Sequence, residues 1–233
     1  MPNKTTYNKH YNELSINTNE DKGLGCHTKV LALNYAHLND MCSKHCKVWQ
    51  QRFDLRYPAD GSIDPDPKHR YRFAENLTKD LKRNNSIYAK KDKLNKKNPH
   101  NIDPRLIMVC EKGKTSNKIH IHGLLLVNGN SKKHSADIFA RVERQWANAL
   151  EIEDAKGLVH YCNANGPNSY MLNRNDLDFK DKLNAAFYQA SYLAKINTKD
   201  GLEKGQWLVS STRLPVDAKN NFNRNKINPM VGK

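Results

Sequence analysis

What the chain lacks narrows its function before any motif is considered. No stretch approaches the roughly eighteen consecutive apolar residues of a membrane-spanning helix. Met1 is followed by polar residues rather than an apolar leader core, so the expectation is a cytoplasmic protein. Glycine numbers only 11 in 233 residues and forms neither a P-loop nor a dinucleotide fingerprint, which excludes a nucleotide-driven motor. Internal repeats are absent, excluding a solenoid. Cys26, Cys42, Cys46, Cys110 and Cys162 form no CxxC pair and are odd in number, which argues against a disulfide framework and for a reducing compartment. Acidic residues are scarce: 24 Asp and Glu stand against 39 Lys and Arg, a formal charge of +15. That exceeds the magnitude of about 2–8 that solubility asks of a small domain. A field of this sign favours polyanions, either nucleic acid or an anionic membrane surface.

Hydrophobic residues make up 37% of the chain, enough to bury a core. Residues 1–26 are polar and aperiodic and read as a flexible arm, residues 27–213 as the folded domain, and residues 214–233 as a frayed tail. Within the domain, Thr28–Tyr35 reads as a buried strand. A helical stripe of Leu38, Met41, Cys42, His45, Trp49 and Phe53 follows it. That stripe makes core packing the better account of Cys42, His45 and Cys46, whose spacing fits no standard zinc finger. Asp66-Pro67 opens a second helix. Arg105–Glu111 and Lys118–Val127 form an antiparallel hairpin, and Ser135 caps a third helix carrying Ile138, Val142 and Trp146. Gly157–Cys162 is a strand, Asn163–Asn175 a loop, Asp178 to about Asn197 a helix and Trp207–Thr212 a last strand. The class is α+β, a central antiparallel sheet with helices packed on it.

The basic run from Lys79 to Lys97 reads either as a solvated helix end or as a phosphate-contacting rim. In the second reading Lys82, Arg83, Lys90 and Lys91 meet the backbone of a nucleic acid, as does Arg213 further on.

The most informative residues are His120-Ile121-His122. Period 2 in a strand turns both imidazoles to one face, where they can share a divalent cation, Mn²⁺ or Mg²⁺ when oxygen ligands join them. Glu111 ends the preceding strand, and hairpin register can bring it in as a third, anionic ligand. The helix after Asp178 adds a second feature. With Leu183 as reference, Ala186, Phe187, Ala190 and Ala194 form an apolar stripe, while Tyr188, Tyr192 and Lys195 fall on the face away from it. A tyrosine hydroxyl beside a cation is a candidate nucleophile.

Taken in this order, HIH on a strand with an upstream Glu, then Tyr-Leu-Ala-Lys on a helix, resembles the HUH endonuclease superfamily. VCEKGKTSNKIHIHGLLL resembles the metal motif of rolling-circle replication initiators. SYLAKINTKDGLEKGQWLVSSTR resembles the tyrosine region of inovirus-type initiators, also met as YagK/YfjJ-like domains. The resemblance implies an HUH/RRM-like sheet with a divalent metal on His120, His122 and Glu111. It further implies Tyr192 as nucleophile, assisted by Lys195, with Tyr188 as a second nucleophile or a structural residue. The implied substrate is single-stranded DNA at an origin hairpin, nicked to a 5′-phosphotyrosine and a free 3′-OH that a host polymerase and helicase would use, on a phage or plasmid replicon. Relaxases and transposases of the superfamily match less well. A basic copy-control regulator without nuclease activity is the reading from another class.

Overall fold

A computed structural model describes residues 5–94, 100–112, 119–131, 135–162, 167–196 and 209–216, with side chains left out at 84–89, 91–94 and 135–136. In chain order the elements are β1 (Thr5–Thr6), β2 (His10–Tyr11), β3 (Leu14–Ser15), β4 (Cys26–His27), α1 (Thr28–Lys44), β5 (Lys47–Arg56) and α2 (Pro67–Leu94). Then come β6 (Arg105–Lys112), β7 (Ile119–Asn128), α3 (Ser135–Leu150), β8 (Val159–Tyr161), β9 (Ser169–Asn173) and α4 (Phe179–Ser191). A 3₁₀ turn at Tyr192–Ala194 and β10 (Val209–Ser211) complete the order.

The main sheet is antiparallel throughout and ordered β10-β6-β7-β5-β8, with β9 also pairing β5 beyond the end of β8. Its centre is the pairing of β5 with β7, continuous from Val48↔Asn128 to Arg56↔His120. Alternation along these strands builds two cores. Val48, Ile107, Val109, Leu124 and Leu126 pack against α1 and α4, through residues such as Leu31, Tyr35, Leu38, Phe187 and Ala190. Phe53, Leu55, Met108, Ile121, Leu125 and Val127 pack against Phe73 and Leu77 of α2 and Val142 and Trp146 of α3. The result is three layers: α1 and α4, the sheet, then α2 and α3. Arg141 of α3 joins the outer pair of helices through Asp80 of α2 at 2.7 Å, and the Trp146 indole N–H donates to the Arg56 carbonyl at 2.9 Å, fixing α3 on the end of β5.

Several expectations are corrected. Thr28–Tyr35 is not a strand but the first half of α1, and the helical stripe expected to reach Phe53 stops at Lys44, where the chain becomes β5. Trp49 and Phe53 are four apart, a separation that satisfies both a helical face and a strand face. The expected loop at 163–175 contains β9, and the expected helix over 178–197 is α4 followed by a 3₁₀ turn. Residues 5–26 differ most from the expected flexible arm. Ile16 and Cys26 are buried in the α1–α4 core. The Ser15 N–H donates to Asn184 Oδ1 at 2.7 Å and the Asn17 N–H to Ser191 Oγ at 2.8 Å. Polarity conceals this because only a few apolar side chains dock, and backbone N–H groups supply the remaining bonds. Of the expected tail, only Leu214–Val216 lies within the described residues. No helix among the described residues is long and apolar enough to cross a membrane.

Gly123 follows the HIH triplet directly, opposite Phe53. A Cβ at this position would lie 2.3 Å from Phe53 Cε2, so the aromatic ring occupies the space a side chain would need. Gly123→Ala is therefore expected to destabilise the chain by roughly 1–3 kcal/mol, as an overpacked core does. Urea denaturation midpoints measure this, and a midpoint equal to wild type would show that the Phe53 ring moves aside at no cost.

Candidate active site

Three neighbouring strands bring the site together at one end of the sheet. Register pairs Glu111 of β6 with His120 of β7, and Asp54 of β5 with His122. Cross-strand partners share a face, so both carboxylates rise on the histidine side. The buried His122 ring lies between them: Nδ1 donates to Asp54 Oδ1 at 2.5 Å and Nε2 to Glu111 Oε2 at 2.7 Å. Ionised carboxylates only accept hydrogen bonds, so a ring held this way carries a proton on each nitrogen. Burial would lower the His122 pKa, but the hydrogen bonds and negative charge of Asp54 and Glu111 outweigh it and the net shift is upward. For Asp54, burial would raise the value, yet the His122 hydrogen bond and the charges of His122 and Arg52 bring it down to about 2. His120 is half-buried and shifted downward, chiefly by desolvation.

Tyr192 closes the site from the other layer. Its ring meets His122 edge-on, centroids 5.5 Å apart. The Arg52 guanidinium carbon lies 3.9 Å from the ring centroid and Lys195 Nζ lies 4.5 Å from it. Such contacts place two positive charges on the electron-rich faces of the phenol. The pKa of Tyr192 is nevertheless raised, first by burial and then by the charge of Glu111, with Arg52 opposing, while burial lowers that of Lys195. The tyrosine reaches this position because α4 tightens after Ser191. The turn is then anchored from the N-terminal segment, by the Cys26↔Lys195 bridge and the Ile196 N–H donating to the Gly25 carbonyl at 3.1 Å.

The expected site residues are thus only partly gathered. Glu111, His122, Tyr192 and Lys195 share one neighbourhood, with His120 beside them. The His120 ring stands 6.1 Å from that of His122, and its nitrogens do not close on the Glu111–His122 pair as they stand. Tyr188 sits a turn earlier on α4, its carbonyl accepting from Ser191 Oγ, and the ring contact with His122 belongs to Tyr192. Lys82, Arg83 and Lys90 are exposed on α2, in the layer opposite the histidine face, on the half of the helix that leads away from Arg70, whose guanidinium meets Cys110 of β6. Arg213 follows Thr212, which bonds Leu106 at the end of β6 remote from Glu111. The Lys91 side chain lies outside the described residues. Cys42, His45 and Cys46 do not converge: Cys42 is in the core, His45 pairs with Asp103 at 3.1 Å, and Cys46 accepts from Asn130.

Sequence reasoning missed Asp54 and Arg52, because their strand was read as helix, and also His160 and Cys162. In hindsight Arg52, Asp54 and Arg56 alternate with Phe53 and Leu55, a strand signal with one charged face. On β8, His160 is the cross-strand partner of Asp54. Cys162 follows two residues later, its thiol pushed up to about 12 by burial and by the charge of Asp54.

The family model of the YagK/YfjJ C-terminal domain matches residues 6–206. The chain belongs to this family. The matched span includes every residue gathered at the site and the N-terminal segment that anchors the tyrosine turn. No curated protein and no solved structure matches the chain.

The Asp54–His122 pair makes stability depend on pH. Asp54 lies below its unfolded value of 3.8, so its contribution is present above about pH 4 and fades as pH falls towards 2. His122 lies above 6.5, so its contribution is complete below that pH and is lost as pH rises through the raised value. Without added metal, wild type is expected to exceed Asp54→Asn in stability by on the order of 2 kcal/mol between about pH 4 and 6.5, with the difference narrowing on both sides. Urea unfolding of both chains across this range measures it, and curves that stay parallel would contradict the pairing.

Proposed function

We propose that the chain is a metal-assisted, site-specific single-stranded DNA endonuclease and strand transferase of the HUH type, serving as a rolling-circle replication initiator. The observation that supports this most is the meeting of Tyr192 with His122 and Glu111. These residues come from a helical turn and from a hairpin far from it in sequence, beside two cations and on a strongly basic chain.

The donor set suits a Mn²⁺ or Mg²⁺ ion. Glu111 Oε2 and His122 Nε2, 2.7 Å apart, are close to the separation of about 3 Å between adjacent ligands of an octahedral ion with bonds near 2.1 Å. Asp54 on the far nitrogen is the outer carboxylate that orients a ligating imidazole. His120, half-buried beside the pair, would be the third ligand. When bound, the ion supplies Lewis acidity to the scissile phosphate and neutralises charge developing on it.

Tyr192 Oη attacks phosphorus: the Oη–P bond forms as the P–O3′ bond breaks, the phenol proton leaves to solvent, and the departing 3′ oxygen takes up a proton. The products are a 5′-phosphotyrosine and a free 3′-OH, and reversal rejoins strands. Arg52 and Lys195 favour the phenolate and the phosphate by their charge. Tyr188, a turn away, is left for a terminating transfer.

Incubation with origin-containing single strands and Mn²⁺, run on a denaturing gel, tests the reading. Wild type is expected to form a covalent adduct that Tyr192→Phe abolishes and Tyr188→Phe leaves intact at the first nick. An undiminished adduct in Tyr192→Phe would overturn the assignment. His122→Ala is expected to lose cleavage while keeping most salt-sensitive DNA binding, since phosphate contacts by the basic surface need no metal. One observation favours a second reading, a DNA-binding regulator without cleavage: Lys82, Arg83 and Lys90 lie on the layer away from the histidines. Binding without adduct formation in wild type would select it.

A further inference from the structure

We infer that Asp54, His160 and Cys162 form a second cation site, distinct in chemistry from the Glu111–His122 pair and suited to zinc. One ligand atom from each of the three lies within 4.8 Å of the others. Cys162 Sγ is 3.7 Å from His160 Nδ1, and His160 Nδ1 is 4.0 Å from Asp54 Oδ2. A tetrahedral zinc with Zn–S near 2.3 Å and Zn–N near 2.1 Å sets sulfur and nitrogen about 3.6 Å apart, and its nitrogen and oxygen ligands about 3.4 Å apart. The first separation is already met, and the second requires closure by about half an ångström.

The strands explain the arrangement. Asp54 and His160 are cross-strand partners on β5 and β8, and Cys162, two residues after His160, returns to the same face. Cys162 and Asp54 are largely enclosed, whereas half of the His160 side chain is exposed, so a hydrated ion approaches along that ring. One sulfur, one nitrogen and one oxygen form a borderline-soft set that selects zinc, whereas Glu111 with the histidines offers the oxygen and nitrogen donors that suit manganese or magnesium. Three protein ligands leave the fourth position of a tetrahedral ion to water. On uptake the Cys162 S–H bond is replaced by an S–Zn bond and the proton leaves to solvent.

Asp54 belongs to both groups. Oδ1 accepts from His122 Nδ1 while Oδ2 faces His160, so an ion on Oδ2 would hold the carboxylate that orients His122. Asp54 is then a positioning residue whose geometry the second ion fixes. The inference stands on these three residues alone and does not depend on strand cleavage.

Cobalt(II) is the probe, because a cobalt–thiolate bond gives a near-ultraviolet charge-transfer absorption that nitrogen and oxygen ligands do not. The full chain, stripped with a chelator, is titrated with Co²⁺ alone, then with Zn²⁺ in competition. The expected result is a charge-transfer band saturating at a one-to-one ratio, displaced by zinc. Cys162→Ser should lose it, His160→Gln should weaken cobalt binding by about tenfold or more, and His120→Gln should retain it. If Cys162→Ser fails to fold, His160→Gln, changed at a half-exposed ring, carries the test. Absence of the band in wild type, or a band unaltered in both variants, overturns the inference. Neither outcome bears on the Tyr192 adduct, so the two readings fail separately.

Discussion

The unbroken pairing of β5 with β7 is the constraint on which the rest of the molecule depends. Because side chains alternate along both strands, this one register decides which residues enter each core and which reach the site. A slip by one residue would turn His120 and His122 into the layer occupied by Phe73 and Trp146 and bring Ile121 to the tyrosine. Gly123 and Phe53 pin that register from the other face, since the ring fits only where its partner has no side chain.

Upon that register stands an electrostatic arrangement that is costly unless complete. A buried imidazolium with two carboxylates satisfies every group while all three are present, and leaves an uncompensated charge when one is removed. Arg52 and Lys195 add positive charge on the side facing Tyr192. The same groups that stabilise the folded chain are those that the proposed divalent ion would compete for, so its uptake would replace an internal proton rather than fill a neutral cavity.

Much of this was legible in the sequence where periodicity is local and one-sided. The β6–β7 hairpin, the starts of α2 and α3, and the apolar stripe Leu183, Ala186, Phe187, Ala190 on α4 all follow their patterns. The HIH triplet and Tyr192 stood out by residue type and spacing, and the roles expected of them came from the family resemblance rather than from periodicity. The first part of β5 is buried on both faces with Gln50, Gln51 and Arg52 inside it, so only the short alternation from Arg52 to Arg56 was there to be read. The meeting of Asp54 with His122 and the β8 residues emerged from cross-strand pairing, which a linear pattern does not carry. The placement of Tyr192 likewise depends on the end of α4, where a uniform rotation of about 100° per residue ceases to apply.

The bonds that join Ser15, Asn17 and Gly25 to Asn184, Ser191 and Ile196 span about three-quarters of the chain. Contacts of such sequence separation carry the largest loop-closure cost and are the slowest to be gained. The histidine strand and its carboxylates can therefore be assembled on a nascent chain while the tyrosine turn is still being synthesised. Tyr192 takes its place only when the beginning of the domain and its last helix meet, which couples the placement of this side chain to completion of the fold.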